Sequence, residues 1–328
     1  MAGKGKTHQR IFSILSFLNT ETKPDEPINI KELQNYLGDE CSQRQVIYND
    51  LKQMELAGIG VTHDKNKHYY YNNKRFDDGE LELLADVICS SSFLDVKNAE
   101  KLILHIKQMT NTENFDEITR QTNIYLRSKS LNPECIENIR LLHQAIGKKR
   151  IVEFDYESYN SMHHHIISPY ILVWDNSQCY LIGGKKYKSK NQIRNFRVDR
   201  IYGLKVTETM SSPIDYNSPF YSKKTDSFDA EKYMRSIFFM YGSKDTKLTR
   251  IQFRISEDMK RVIIDRFGQD THFIPDGDGY YTFNADIQET NMFYGWAASF
   301  TPDKLSIINP KQSRNNYIRH LKRIYESY

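Results

Sequence analysis

The stretch SQRQVIYNDL, residues 42–51, predicts a helix with one apolar face and one polar face. Ser42 is a residue type that caps helix N-termini, and the helical pattern continues to Ala57. At 100° per residue, Ile47 and Leu51 fall on one stripe, which predicts that they pack into a domain core. The opposite face carries side chains that can form hydrogen bonds with an external partner.

Two helices precede this one in the predicted order, and a hairpin follows it. Apolar residues at helical spacing over 8–18 predict the first helix, and Asn29 caps the second with Glu32 as its capping-box partner. The predicted strands of the hairpin are Ile59–Thr62 and His68–Tyr71. This order is that of a winged helix-turn-helix, which places its recognition helix in the major groove of DNA. Residues 1–76 are therefore predicted to form a DNA-binding domain.

The polar face of the third helix offers chemistry for reading bases. Gln and Asn pair bidentately with adenine, Arg and Lys bind guanine or phosphate, and a Tyr hydroxyl donates to phosphate. Gln45 has an alternative role, because it completes a capping box with Ser42, and a merely solvated face is the alternative for the whole set. The capped helix before it and the basic hairpin after it favour contact with DNA. The predicted DNA-binding residues are Ser42, Gln43, Arg44, Gln45, Tyr48, Asn49, Lys52, Lys65, Lys67 and His68.

The rest of the chain predicts further domains, as a length of 328 residues requires. Helical spacing over 77–133 predicts a helical linker, and closely spaced short strands over 134–210 predict a small β-barrel. Residues 211–240 are predicted to be a linker or extended crossover. The order β-α-β-β-α-β over 241–328 predicts a C-terminal ferredoxin-like α/β sandwich. The predicted fold class is α+β and multidomain.

Two motifs resemble a known family. Residues 42–51 resemble the S-x-R-T-I-x-R-D-[IL] recognition helix of bacterial winged-helix regulators, with Gln45 in place of Thr and Asn49 in place of Arg. The Cys-Tyr-Leu of 179–181 and the FRVDRI of 196–201 resemble the WYL domain, an Sm-like β-barrel that usually has Trp at the first of these positions. The resemblance implies a WYL-domain transcriptional regulator with a winged helix-turn-helix, a WYL domain and a C-terminal extension.

Cations crowd the end of the predicted barrel. Seven Lys and Arg residues lie between Lys185 and Arg200, with Asp199 as the single acid. Converging guanidinium groups suit a phosphate or carboxylate ligand. The lysine run is either a solvated loop or an edge that binds nucleic acid. The resemblance implies a nucleotide-like or nucleic-acid ligand at this barrel.

Several of these barrel residues have two possible roles. Arg197 shares a strand face with Asp199, so this arginine is either a ligand contact or a structural partner of an aspartate. Tyr156 and Tyr180 either line a pocket or pack within the sheet. The predicted ligand-binding residues are Tyr156, His165, Ser168, Tyr180, Arg194, Arg197 and Arg200.

Other functional classes find little support. The four cysteines are scattered and form no CxxC pair, which argues for reduced thiols and against a zinc knuckle. The run of His163, His164 and His165 alternates along a strand without other ligands at suitable spacing, so no metal and no cofactor is predicted. The sequence contains no GxSxG, HExxH, Walker A or GxGxxG motif, so the chain is not predicted to be an enzyme. Neither a membrane-span length of apolar residues nor a signal peptide is found, which predicts a cytoplasmic protein without a membrane partner.

Together these patterns predict a sequence-specific DNA-binding transcriptional regulator, with repression as the favoured mode. It is expected to bind double-stranded operator DNA as a homodimer and to respond to an anionic, nucleotide-like or nucleic-acid effector at the WYL domain. The net charge of +4 permits a nucleic-acid partner. The alternative is a single-stranded nucleic-acid or RNA-binding protein that uses the barrel as its main site. A nucleic-acid-processing enzyme is the rival from another class.

Overall fold

A computed structural model gives the structure of the chain, which is of mixed α/β type. It describes residues 3–22, 26–38, 43–72, 76, 78–107, 109, 129–159, 161–187, 190–243 and 247–328. Its contacts divide into two compact units, each considered separately below. The first unit takes the described residues of 1–90 and 99–126, and the second takes those of 91–98 and 127–328.

The first unit contains three helices followed by a hairpin and two more helices. Its elements are α1 (Gly3–Glu21), α2 (Ile30–Leu37), α3 (Arg44–Leu56), β1 (Val61–His63), β2 (Tyr69–Tyr71), α4 (Asp78–Ser90) and α5 (Val96–Lys107), the last of which begins in the second unit. The predicted capping box of α2 is present, with the Asn29 side chain accepting from the Glu32 backbone N–H and the Glu32 carboxylate accepting from the Asn29 N–H. The described residues of 77–133, the predicted linker, include α4 and α5.

One core joins the first three helices to the hairpin. The side chains of Ile14, Leu18, Ile47, Leu51 and Met54 are buried in it, as the helical spacing predicted. Strands β1 and β2 pair antiparallel, and an isolated bridge between Ile28 and Tyr69 adds a third short segment. The hairpin is therefore fixed to the helical core by backbone hydrogen bonds as well as by apolar packing.

The start of α3 differs from the prediction. The N-cap position falls on Gln43, whose carbonyl accepts the backbone N–H groups of Val46 and Ile47 at 3.0 and 3.2 Å. The third helical position is then Val46, which has no side-chain acceptor, so Gln45 does not occupy the capping-box position relative to this N-cap. Gln45 is exposed instead. Ser42, the predicted cap, lies outside the described residues.

The second unit begins its main body with α6 (Cys135–Gly147) and a five-stranded antiparallel sheet. The strands are β3 (Arg150–Ser158), β4 (Ser161–Asp175), β5 (Gln178–Tyr187), β6 (Lys190–Arg197) and β7 (Ile201–Met210), in the order β6-β5-β4-β3-β7. The long strand β4 pairs with β3 through its first half and with β5 through its second half, with a register shift between Pro169 and Ile171. Such a bulge bends a strand and increases its twist.

Close packing at the bend requires a glycine. A Cβ atom on Gly183 would lie 2.5 Å from Cγ2 of Ile167 and 2.8 Å from the backbone oxygen of Ser168. Two buried amides join the sheet to helix α6 and to the residues just before it. Asn138 of α6 and the preceding Asn132 both donate to the Ile201 carbonyl, at 2.8 and 2.6 Å. These contacts fix the 3₁₀ turn Val198–Arg200 that leads into β7.

Residues 211–240 are packed against the sheet, contrary to the predicted linker. They contain β8 (Tyr221–Ser222), β9 (Ser227–Phe228) and α7 (Ala230–Ser236). Phe220, Phe228 and Tyr233 are buried in a cluster that includes Ile182 of the sheet. The apolar residues are separated by polar ones without helical or strand period, so the sequence pattern does not indicate their burial.

The C-terminal part of the second unit contains a four-stranded antiparallel sheet and three helices. The elements are β10 (Thr249–Ser256), α8 (Lys260–Phe267), β11 (Ile274–Pro275), β12 (Tyr280–Ile287), α9 (Asn291–Ala298), β13 (Leu305–Asn309) and α10 (Lys311–Tyr325), and the strand order is β11-β12-β10-β13. The β-α-β-β-α-β order predicted from the sequence is present. Phe253 and Phe283 stack at 4.9 Å in its core beside Phe293. Within the described residues, no helix is long and apolar enough to cross a membrane.

Candidate functional site

The open face of α3 carries most of the predicted DNA-binding residues. Arg44, Gln45, Asn49 and Lys52 are exposed, and Gln43 is exposed at the cap. They point away from the core because the opposite stripe of the helix fills it. The face therefore combines two cations with neutral amides, which are the groups that contact phosphates and base edges.

Tyr48 lies between this open face and the core. Its ring is half-buried and lies 6.2 Å from the ring of Tyr69 on the hairpin. The Arg44 guanidinium donates to the Tyr48 hydroxyl at 3.4 Å and lies 5.6 Å from its ring centroid. Tyr48 thus positions Arg44 and connects α3 to the hairpin, with only its hydroxyl end near solvent.

A buried ion pair that the sequence pattern did not indicate holds α3 in place. Arg10 of α1 donates through Nε to Oδ2 of Asp50 at 2.6 Å, and the two side chains are only 11% and 12% exposed. Asp50 follows Asn49 on the helix, so the pair fixes the rotation of the open face relative to α1. Burial of both charges makes the contact strongly directional, since neither group has water as an alternative partner.

The hairpin tip presents two lysines on a braced loop. Lys65 and Lys67 are exposed, and Lys67 adopts a φ of 61°. The Asp64 carboxylate accepts the backbone N–H groups of Asn66 and His68, both at 2.8 Å, and the hydrogen bond from His68 is the main cause of its lowered pKa. The His68 ring lies 3.4 Å from the same carboxylate and its side chain is 41% exposed, so this histidine supports the loop and its contact with DNA stays a prediction.

Four rings form a cluster on the five-stranded sheet at the predicted ligand site. His165 lies 4.8 Å from Phe196, 5.8 Å from Phe154 and 6.0 Å from Tyr156. Lys185 donates to Nδ1 of His165 at 3.0 Å. Burial, and then the charge of Lys185, lowers the pKa of His165 to about 4. The histidine is therefore neutral at physiological pH and accepts a hydrogen bond from the Lys185 ammonium group.

The two tyrosines border this cluster. The Tyr156 hydroxyl accepts the backbone N–H of Arg197 at 3.3 Å. Burial raises the pKa of Tyr156, although the charges of Arg200 and Arg197 oppose the shift. Burial also raises the pKa of Tyr180, again against the charge of Arg197. Both hydroxyls thus stay protonated and can donate to an anion.

The predicted arginines have different roles. Arg197 binds Asp199 bidentately, with distances of 3.0 Å from Nε and 2.6 Å from Nη2, and Asp199 is only 7% exposed. The guanidinium of Arg197 is therefore used structurally, as the second of the two predicted roles. Arg194 donates to Gln192 at 2.7 Å. Arg200 is exposed and has no ion pair with another described residue, so it remains available to a ligand.

Ser168 is not a ligand contact, contrary to the prediction. It is buried, and its Oγ accepts the backbone N–H of Ser212 at 3.0 Å. This bond connects β4 to the start of the packed segment 211–240. The prediction placed Ser168 in a pocket near His165, whereas in the structure Ser168 is buried beside the register shift at Pro169 and the segment that begins at Ser212.

The three consecutive histidines form separate contacts. His163 lies 2.9 Å from the Ser161 hydroxyl, and His164 lies 3.0 Å from an Asp155 carboxylate oxygen. His165 joins the aromatic cluster described above. Among the residues that the structure describes, no group of three or more His, Cys, Asp or Glu side chains is arranged to hold a metal ion.

Replacing Lys185 by methionine is expected to raise the pKa of His165, because the lysine charge disfavours imidazolium. A histidine whose folded pKa lies below the unfolded value of about 6.5 destabilises the fold as pH falls through the window from 6.5 to about 4. NMR titration of the His165 ring protons measures the shift. Lys205→Met, which removes an exposed lysine from β7, is the control. An unchanged His165 titration in Lys185→Met would show that the lysine does not act on the ring.

Comparisons with known proteins identify one domain. Residues 137–206 match the family model of the WYL domain, a span that contains every predicted ligand residue. No curated protein matches the chain. Among solved structures, the proteasome accessory factor B/C (PafBC) of Arthrobacter aurescens is similar at 16% identity and a TM-score of 0.29, covering 100% of this chain and 51% of that one. A CRISPR Cas-related protein is similar at 11% identity and a TM-score of 0.37, covering 98% and 92%. The chain thus spans about half the length of the PafBC protein.

Proposed function

We propose that this protein is a DNA-binding transcriptional regulator whose first unit is a winged helix-turn-helix and whose WYL domain senses an anionic, nucleotide-like ligand. The observation that carries the proposal is the open polar face of α3, held by a buried Arg10–Asp50 pair beside a hairpin with two exposed lysines. This arrangement suits insertion of α3 into the major groove and phosphate contact by the hairpin.

The sheet of the second unit supports the sensing role. Protonated tyrosine hydroxyls, Lys185 and the exposed Arg200 surround a cluster of aromatic rings, which suits an anion that also carries an apolar or base-like group. The match of 137–206 to the WYL domain places this cluster in a domain of the predicted type. In this proposal the five-stranded sheet of the second unit forms an Sm-like barrel, the protein acts by binding alone, and it binds an operator as a homodimer.

Ligand control requires a difference in affinity between two states. A ligand shifts the equilibrium between DNA-binding arrangements only by its differential affinity for them. Binding of an anion beside Lys185 would neutralise the charge next to His165 and so change the local charge balance of the sheet. Ligand binding is expected either to strengthen or to weaken operator binding. Repression of transcription is the favoured mode of the DNA-bound protein.

The test of DNA recognition is the double variant Arg44→Ala with Asn49→Ala. Each bidentate base contact contributes about 1–3 kcal/mol, so losing two is expected to weaken specific binding to duplex DNA from the region upstream of the chain's own gene by about 30-fold or more. Fluorescence anisotropy of the labelled duplex measures the affinity at fixed salt. The control, Arg314→Ala with Asn315→Ala, removes the same two residue types from exposed positions of α10.

Two outcomes would contradict this proposal. Equal affinity of the wild-type protein and the Arg44/Asn49 variant would show that α3 is not part of the DNA interface. Tight binding of single-stranded oligonucleotides without any duplex specificity would favour the alternative function, with the sheet as the main nucleic-acid site. The cationic run from Lys185 to Arg200 motivates that alternative.

A further inference from the structure

A second cationic cavity lies in the C-terminal part of the second unit. It has a volume of about 340 Å³ and is enclosed by residues before β10, the start of α9 and one side of α10. The residues that matter here are Lys247, Glu289, Asn291, Arg319, His320 and Arg323. The predicted ligand residues lie in the five-stranded sheet and none of them lines this cavity.

The floor of the cavity is the Glu289 carboxylate, which accepts hydrogen bonds from neighbouring side chains. Glu289 accepts from the Tyr294 hydroxyl at 2.5 Å, from the Ser313 hydroxyl at 2.7 Å and from Asn316 at 3.5 Å. Burial raises the pKa of Glu289, but the hydrogen bonds from Tyr294 and Ser313 outweigh it and the net pKa is lowered. The charge of Glu289 is thus stabilised by hydrogen bonds from neutral donors.

The wall of the cavity carries arginines without acidic partners. Arg319 and Arg323 are one turn apart on α10, and neither guanidinium group forms an ion pair or hydrogen bond with another described residue. Like charges at this spacing repel each other on a helix. By contrast, Arg235, Arg250 and Arg254 of the same unit are each paired with an aspartate. The guanidinium groups of Arg319 and Arg323 are therefore available to bind an anion.

A helix N-terminus adds to the positive potential. Asn291 is the first residue of α9, an eight-residue helix capped by Thr290, and it lines the cavity. The first N–H groups of a helix have no partner within it, and they favour negative charge. Lys247 and His320 supply two further nitrogen groups at the same opening.

We propose that this cavity is a second anion site that binds the phosphate group of a small phosphorylated molecule. Two guanidinium groups at adjacent turns match the several oxygens of a phosphate, which Arg binds bidentately. A volume of about 340 Å³ holds a phosphate with a small organic group, whereas a nucleic-acid duplex is far too large to enter. The site does not depend on DNA binding by the first unit or on ligand binding at the five-stranded sheet.

Isothermal titration calorimetry of the full chain with inorganic pyrophosphate at about 0.15 M salt, where the Debye length is about 8 Å, tests the proposal. Arg319→Ala with Arg323→Ala is expected to weaken binding by at least about 10-fold. The control, Arg314→Ala with Lys322→Ala, removes two charges from exposed positions of α10 that do not line the cavity. It is expected to change the affinity by less than about twofold, as screened surface charges do. Thermal unfolding of each variant verifies that the fold is retained.

Further measurements identify the chemistry of the ligand and locate its binding site. Adenosine 5′-monophosphate is expected to compete with pyrophosphate, whereas adenosine, which lacks the phosphate, is not. Equal loss of pyrophosphate binding in both α10 variants would show general charge attraction and overturn the site. Loss of binding only in Lys185→Met would show that pyrophosphate binds at the five-stranded sheet and not in this cavity. Failure of pyrophosphate to bind at millimolar concentration, or binding only of single-stranded oligonucleotides, would also overturn it.

Discussion

Replacing Asp50 by alanine is expected to destabilise the first unit by about 3–5 kcal/mol, because it leaves the Arg10 guanidinium buried without a partner. The two side chains are nearly inaccessible, and the bond between them measures 2.6 Å. Losing it also removes the polar contact between α3 and α1, so the rotation of the open face of α3 is held by apolar packing alone. Specific binding to DNA is expected to decrease together with stability.

Amide hydrogen exchange of α1 to α3 measures this loss separately from the second unit. Replacing both partners by apolar residues, Arg10→Met with Asp50→Leu, is expected to recover most of the free energy of unfolding, since a buried pair gives little net stability over apolar packing. Glu137→Ala removes one partner of an exposed ion pair on α6 and is expected to have no measurable effect. Similar exchange rates in Asp50→Ala and wild type would show that the pair does not hold α3.

Replacing Tyr233 by alanine is expected to destabilise the second unit by about 3–5 kcal/mol, the range for a large buried aromatic side chain. Tyr233 packs at 5.0 Å from Phe220 and 5.3 Å from Phe228, and its hydroxyl donates to Asn195 of β6 at 3.1 Å. The substitution leaves a cavity between segment 211–240 and the sheet and removes a partner of Asn195. Burial also raises the pKa of Tyr233 to about 12, so the hydroxyl remains a donor at neutral pH.

Chemical denaturation followed by hydrogen exchange of β5 and β6 measures the loss. Tyr233→Phe isolates the hydroxyl and is expected to cost about 1 kcal/mol. Tyr216→Ala is the control, because this tyrosine lies in the same segment but is 67% exposed. Equal effects of Tyr233→Ala and Tyr216→Ala would show that 211–240 is a linker, as the sequence pattern predicted.

Residues whose role depends on local periodicity were predicted well. The apolar stripe of Ile47 and Leu51, the capping box of Asn29 and the strand and helix order of the C-terminal part follow from spacing along a few turns or strands. Such patterns reflect which face of an element meets a core, and that information is contained in neighbouring residues.

Roles that depend on a distant partner could not be predicted in the same way. Asp50 looks like one more polar residue of a helix, because Arg10 lies 40 positions earlier in the chain. Ser168 looks like a pocket residue until Ser212 covers it, 44 positions later. From the sequence, Arg197 could either bind a ligand or have a structural role. Its pairing with Asp199 depends on the 3₁₀ turn that follows β6.

Outside residues 211–240, the sequence by itself determined most elements of this protein, their order and the faces they bury, because these properties are local and repeat with the period of a helix or strand. The tertiary structure alone decided which charged groups are already partnered. It pairs Asp50 with Arg10 and Arg197 with Asp199, and it leaves the α3 face, Arg200 and the arginines of α10 open to other molecules. The physical reason is that the energy of a charge depends on its burial and on partners far away in the chain.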